Sequence, residues 1–173
     1  MRNFRFFIFA AWCATSGSAA WAHMTAAPNE AAAGTHFQTG FTVPHGCSGS
    51  PTVAVRIKIP EGVMSVKPQK KPGWEITITN RKLDKAIDAG HGRMITETVD
   101  EIAWRGGPLP DSFYDTFGLM MKLPDAPGRT LYFPVVQECK EGVHRWITVP
   151  AAGEKWNDLK EPAPFVKLRA TAS

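Results

Sequence analysis

The chain has 173 residues, with 20 Lys and Arg against 16 Asp and Glu, 43% hydrophobic positions and 21% charged ones. Apolar residues spread along its length are enough to offset chain entropy, which excludes a disordered or collagen-like polymer and sets one globular domain as the expected count. No Lys/Arg cluster interleaved with aromatic residues argues for a nucleic-acid partner.

The chain opens with Arg2 and Arg5 before an apolar run, Phe6 to Ala14, that is too short to cross a bilayer, followed by small residues ending in Ala20-Trp21-Ala22. This pattern predicts a secretory signal peptide over residues 1–22, cleaved after Ala22, and a periplasmic or otherwise secreted product that begins at His23. No other run is long enough for a transmembrane helix, so none is expected after cleavage. Loss of Arg2 and Arg5 lowers the formal charge from +4 to +2, so the sequence pI of about 9.1 overstates the basicity. Cys13 leaves with the leader, and Cys47 and Cys139 remain. An even pair of thiols in an exported chain reads as one disulfide; the competing reading, a metal–thiolate pair, would be threatened by oxidation outside the cytoplasm.

From Thr35 the hydrophobic period is two. Val53, Val55, Ile57 and Ile59 alternate with Thr52, Ala54, Arg56 and Lys58, which predicts a strand with one buried face. Further short strands are expected at Trp74 to Thr79, Ile95 to Trp104, Phe117 to Leu123, Thr130 to Glu138 and Val143 to Val149, separated by Pro- and Gly-containing turns. The charged stretch Asn80 to Ala89 reads as an exposed loop or hairpin tip, and the Ala-, Pro- and Lys-rich segment from Ala151 as surface or disordered chain. The fold expected is all-β: a single antiparallel β-sandwich, immunoglobulin- or cupredoxin-like, with one disulfide, spanning residues 23–164 and followed by a tail over 165–173.

No G-x-S-x-G, H-E-x-x-H, C-x-x-C, P-loop or G-x-G-x-x-G occurs, so the chain is not expected to be an enzyme. His23, His36, His45, His91 and His144 show no close metal-ligand spacing, and His91 in Ala89-Gly90-His91-Gly92 reads as solvent-exposed. His23 differs from the other four. At a free N-terminus its α-amine and imidazole Nδ1 close a chelate ring, the amine pKa of about 8 lets Cu(II) displace its proton near neutrality, and tetragonal N/O coordination suits Cu(II). Met24 offers a thioether to Cu(I), but no Met-rich motif accompanies it, which argues against a reduced-copper carrier.

Several blocks resemble the YcnI-like copper-binding family of exported bacterial proteins. They are Trp21-Ala22-His23-Met24-Thr25, Thr42 to Thr52, Ile59-Pro60-Glu61-Gly62-Val63, Lys71-Pro72-Gly73-Trp74, Gly107 to Asp115, Tyr132 to Cys139 and His144-Arg145-Trp146. The resemblance covers about His23 to Pro164. It implies a β-sandwich that binds one Cu(II) per chain through an N-terminal histidine brace at His23, with a tryptophan, here Trp146, covering the metal. The family's glutamate ligand falls near His45-Gly46, where this chain has no carboxylate. His45 is the first candidate to replace it and Glu138 the second, while His144, beside Trp146, is expected to support the site from behind the ligands. Trp74 and Trp104 are expected to be packing residues.

The implied function is a copper chaperone or buffer in copper homeostasis, with the copper ion and other envelope copper-trafficking proteins as partners. The alternatives are a non-metal interaction module of the cell envelope and, less in keeping with a single-histidine brace, a copper-dependent oxidase.

Overall fold

A computed structural model describes residues 23–88, 92 and 94–171. The signal-peptide reading and His91 lie outside the described residues. The described residues form twelve strands: β1 (Thr25–Ala27), β2 (Glu30–Ala32), β3 (His36–Val43), β4 (Thr52–Lys58), β5 (Met64–Pro68), β6 (Trp74–Asp88), β7 (Met94–Leu109), β8 (Asp115–Lys122), β9 (Thr130–Tyr132), β10 (Val135–Cys139), β11 (Val143–Trp146) and β12 (Phe165–Arg169). They build a four-stranded sheet ordered β1-β3-β8-β5, a five-stranded sheet ordered β11-β10-β4-β7-β6, and a small sheet ordered β2-β12-β9. Every pairing is antiparallel except β2 with β12.

Alternation decides which side chains face inward. In β10, Val135, Gln137 and Cys139 are buried while Val136 and Glu138 lie toward the outer face, and in β4 Val55 and Ile57 are fully buried. The inward residues of both larger sheets meet in one core around Phe41, Phe117, Phe133, Trp104 and Trp146. Trp104, fully buried, donates from Nε1 to the Gln69 carbonyl at 3.2 Å, and Trp74 packs edge-on against Phe117, so both are packing residues as expected. The Cys47–Cys139 disulfide is present, with 6.0 Å between the Cα atoms.

Three expectations are corrected. The run Thr130 to Glu138 is two strands in different sheets. Pro134 has no N–H to continue a ladder, so β9 ends at Tyr132 and pairs with β12, while β10 begins at Val135 and pairs with β4. The charged stretch from Asn80 to Asp88 is the outer half of β6, paired with β7 through Ile87↔Ile95 and Asp88↔Met94. Finally, residues 165–169 are not a tail. Val166 and Leu168 are buried and β12 is the central strand of the small sheet, held by backbone pairing to β2 and β9 and by an Arg169–Glu30 ion pair.

Candidate metal centre

Three separate segments converge on Trp146. The β10–β11 hairpin pairs Gln137 with His144 and Val135 with Trp146, so His144 and Trp146, two residues apart, share the inward side of β11. Trp146 is buried, and its indole Nε1 donates to Gln137 Oε1 at 3.0 Å. Gln137, itself fully buried, donates from Nε2 to the His45 carbonyl at 2.6 Å and to Thr52 Oγ1 at 2.8 Å. Both amide hydrogens and the amide oxygen are therefore used, which offsets the cost of burying this polar group. The orientation is unambiguous, because a flipped amide would set its N–H against the indole N–H.

The second segment is the loop carrying His45. Cys47 and Ser50 exchange both backbone hydrogen bonds around Ser48 (φ 52°) and Gly49 (φ 90°), the two left-handed central residues of a tight type I′-like turn. Gly46 must be glycine, since a Cβ there would stand 2.1 Å from the Ser50 carbonyl oxygen. Its N–H donates to Asp111 Oδ1 at 3.0 Å. Together with the disulfide these contacts fix the loop at both ends.

The third segment is the start of the described chain. Met24 is fully buried, and Thr25 pairs with Thr42 in β3, so the same register continued two residues brings His23 level with Pro44, next to His45. The His23 ring lies edge-on to Trp146, 6.3 Å between centroids, and to Trp156 at 5.1 Å. Burial of Met24 makes it a core anchor rather than a thioether ligand.

The imidazoles of His45 and His144 also pack on Trp146, at 6.2 and 5.1 Å, and stand 5.4 Å from each other, nearly perpendicular. His144 Nδ1 lies 2.8 Å from Glu161 Oε1, and the other oxygen of Glu161 accepts the Arg145 backbone N–H at 3.1 Å. His144 Nε2 is buried and has no hydrogen-bond partner among the described residues. A buried nitrogen with a lone pair and no donor to satisfy it suits a metal ion, and soft-to-borderline imidazole nitrogen suits copper. Among the described residues, no group of three or more His, Cys, Asp or Glu side chains by itself forms a metal cage.

Of the candidates read from sequence, His23, His45, His144 and Trp146 come together and Glu138 does not. Strand parity turns Glu138 to the outer face of β10, where Arg56 Nε stands 3.1 Å from its carboxylate, as an ion pair without hydrogen-bond alignment, and Arg105 donates at 3.5 Å. Glu138 is thus an outer-face charge partner and no substitute ligand. Sequence reasoning missed Gln137, Trp156 and Glu161. Trp156 and Glu161 lie in the segment expected to be surface or disordered, where Trp156 donates from Nε1 to the Ala163 carbonyl at 2.7 Å.

Fold and site together define an immunoglobulin-like β-sandwich with a histidine–tryptophan cluster at its N-terminal edge. A model of the Domain of unknown function (DUF1775) matches residues 23–168, and the chain belongs to this family, which is the YcnI-like family. An uncharacterized protein from Nocardia farcinica with an immunoglobulin-like fold is similar in crystal structure, with a TM-score of 0.64, 26% identity and 85% of this chain covering 98% of that one. A putative membrane anchored protein from Corynebacterium diphtheriae matches at a TM-score of 0.42 and 11% identity, over 87% of this chain and 35% of that one. No curated protein matches the sequence.

Proposed function

We propose that the protein is an exported Cu(II) carrier, a chaperone or buffer in envelope copper homeostasis, that takes one ion per chain through the α-amine and Nδ1 of His23. The observation that carries this reading is the convergence of the His23, His45 and His144 rings on one buried indole, Trp146. The family match beginning at His23 agrees with it. Copper is the cargo. His23 supplies the chelate, His45 an imidazole from a loop already fixed by the disulfide, and Trp146 a flat apolar wall that keeps water off one side of the ion.

Delivery rather than catalysis is the activity this arrangement favours, and the partners are other copper-trafficking proteins of the envelope. The test is a Cu(II) titration with electron paramagnetic resonance on protein that begins at His23, beside a copy with one extra residue before it. One-to-one binding with nitrogen hyperfine structure, lost on extension, is expected. Equal binding by both, or none by either, overturns the brace and leaves an interaction module of the cell envelope as the better reading.

A further inference from the structure

We infer that Trp156 is a positioning residue for copper capture at His23: its indole, carried by the segment between β11 and β12, sets the plane of the His23 imidazole. This inference rests on the copper-binding reading above and extends the site to a segment far along the chain from the N-terminal histidine.

Burial of Met24 and the pairing of β1 with β3 hold the His23 backbone, but they leave its two side-chain torsions unset. Closing a chelate ring through the α-amine and Nδ1 demands one particular setting of those torsions. An imidazole that samples other rotamers loses that freedom on capture, at a cost in affinity. Two indoles touch the ring. Trp146 stands 6.3 Å away with the planes at 64°, and Trp156 is nearer, 5.1 Å between centroids, with the planes almost perpendicular at 88°. The second is the edge-to-face arrangement that aromatic pairs prefer.

Trp156 has its own supports apart from His23. It opens one 3₁₀ turn, Trp156–Asp158, and its Nε1 donates to the Ala163 carbonyl at 2.7 Å. Its ring meets the Phe165 ring of β12 at 5.5 Å, and the fully buried Ala163 donates its N–H to the Thr148 carbonyl at 2.9 Å. The indole is thus tied to β12 and to the segment after β11, which lets it act as a template for the ring beside it. It is not core filling: Trp156 is half-buried, and a cavity of about 160 Å³ bordered by Thr25, Asn29, Pro164 and Phe165 lies against it.

The test uses protein that begins at His23, with the variants Trp156→Phe and Trp156→Leu. Both lose the Nε1 bond to Ala163, so the difference between them reads the ring contact and not the fold. In copper-free wild type, nuclear Overhauser contacts between the His23 ring protons and the Trp156 indole are expected. Cu(II) titration is expected to show Trp156→Phe binding close to wild type and Trp156→Leu binding about 2- to 10-fold weaker, the range an aromatic pair contributes. The nitrogen hyperfine pattern in electron paramagnetic resonance should change in Trp156→Leu and return in Trp156→Phe, which a role in folding alone would not produce. Absence of the Overhauser contacts in wild type overturns the inference whether or not either variant folds. Equal affinities and equal spectra in the two variants also overturn it, and if a one-residue extension before His23 still abolishes wild-type binding, the brace survives that failure. Wild-type binding that is absent, or indifferent to the extension, overturns both.

Discussion

Gln137 is the side chain on which the geometry of the site turns, and replacing it with leucine tests the arrangement. Leucine has nearly the same volume, so packing is kept while three hydrogen bonds are lost: those to Trp146 Nε1, Thr52 Oγ1 and the His45 carbonyl. Trp146 and Thr52 are both buried, so the polar atoms left behind have little access to water. An orphaned buried group costs about 1–3 kcal/mol, and part of the total is recovered because leucine is easier to bury than an amide. The expected loss is about 2–5 kcal/mol. With a urea m-value of about 1–3 kcal/mol/M, the midpoint falls on the order of 1–2 M, read by far-UV circular dichroism. Copper affinity falls with it, because the His45 loop loses its tie to β10. Gln137→Glu separates the two halves of the network. It keeps the acceptor for Trp146 but sets a carboxylate against the His45 carbonyl, which raises its folded-state pKa and makes stability decline as pH rises. A loss below about 0.5 kcal/mol in Gln137→Leu, with copper affinity unchanged, would refute the view that this amide holds the site.

Other perturbations follow from the same contacts. Replacing both Cys47 and Cys139 by Ala removes a link across 92 positions and is expected to cost about 2–5 kcal/mol in urea denaturation, with weaker Cu(II) binding from a freed His45 loop. Ending the chain at Pro164 removes β12 and its buried Val166 and Leu168, each worth about 1.5–3 kcal/mol when buried, so soluble yield and melting temperature should drop sharply. The Asp100 carboxyl is held below the usual carboxylate range, chiefly by the Lys58 Nζ bond at 2.7 Å, against an opposing effect of burial, with help from Arg81 at 3.2 Å. A depressed folded-state pKa contributes stability above the ordinary carboxylate pKa of about 4, and that contribution is lost as pH falls through the folded value. Asp100→Asn should therefore lower stability at neutral pH by no more than about 1 kcal/mol and flatten its decline in acid, followed by thermal melts from pH 2 to 7.

Much of the fold was legible because it rests on local alternation and on turns, both visible in short windows. The disulfide was legible from the thiol count of the expected mature chain, in which Cys47 and Cys139 are the pair left beyond the predicted leader. The same parity rule makes Glu138 an outward residue whenever Cys139 faces inward, so its exclusion from the site was available before the structure. Gln137 was harder, since a polar residue at an inward position betrays its role only when three partners from other segments are in place. Glu161 and Trp156 had no local signal at all. Their segment has no hydrophobic period, and it is held by distant backbone bonds, Thr148 N–H to the Glu161 carbonyl and Ala163 N–H to the Thr148 carbonyl. The end of the domain was misjudged for the same reason, because β12 draws its stability from pairing with strands more than thirty positions away.

For the proposed copper site, side chains from chain positions so far apart need to be held before an ion arrives, or the entropy of ordering them would weaken capture. Here each is held differently. His23 is one residue from a fully buried Met24 and two from a strand pair, so its backbone has little freedom left to lose. His45 is fixed by a covalent bridge, a glycine that no other residue can replace, and the amide of Gln137. His144 is fixed by a carboxylate on a segment that crosses back over the edge of β11. This division explains why no close histidine spacing can be read along the chain: the cluster belongs to the sandwich edge, where three segments distant in sequence meet on one indole.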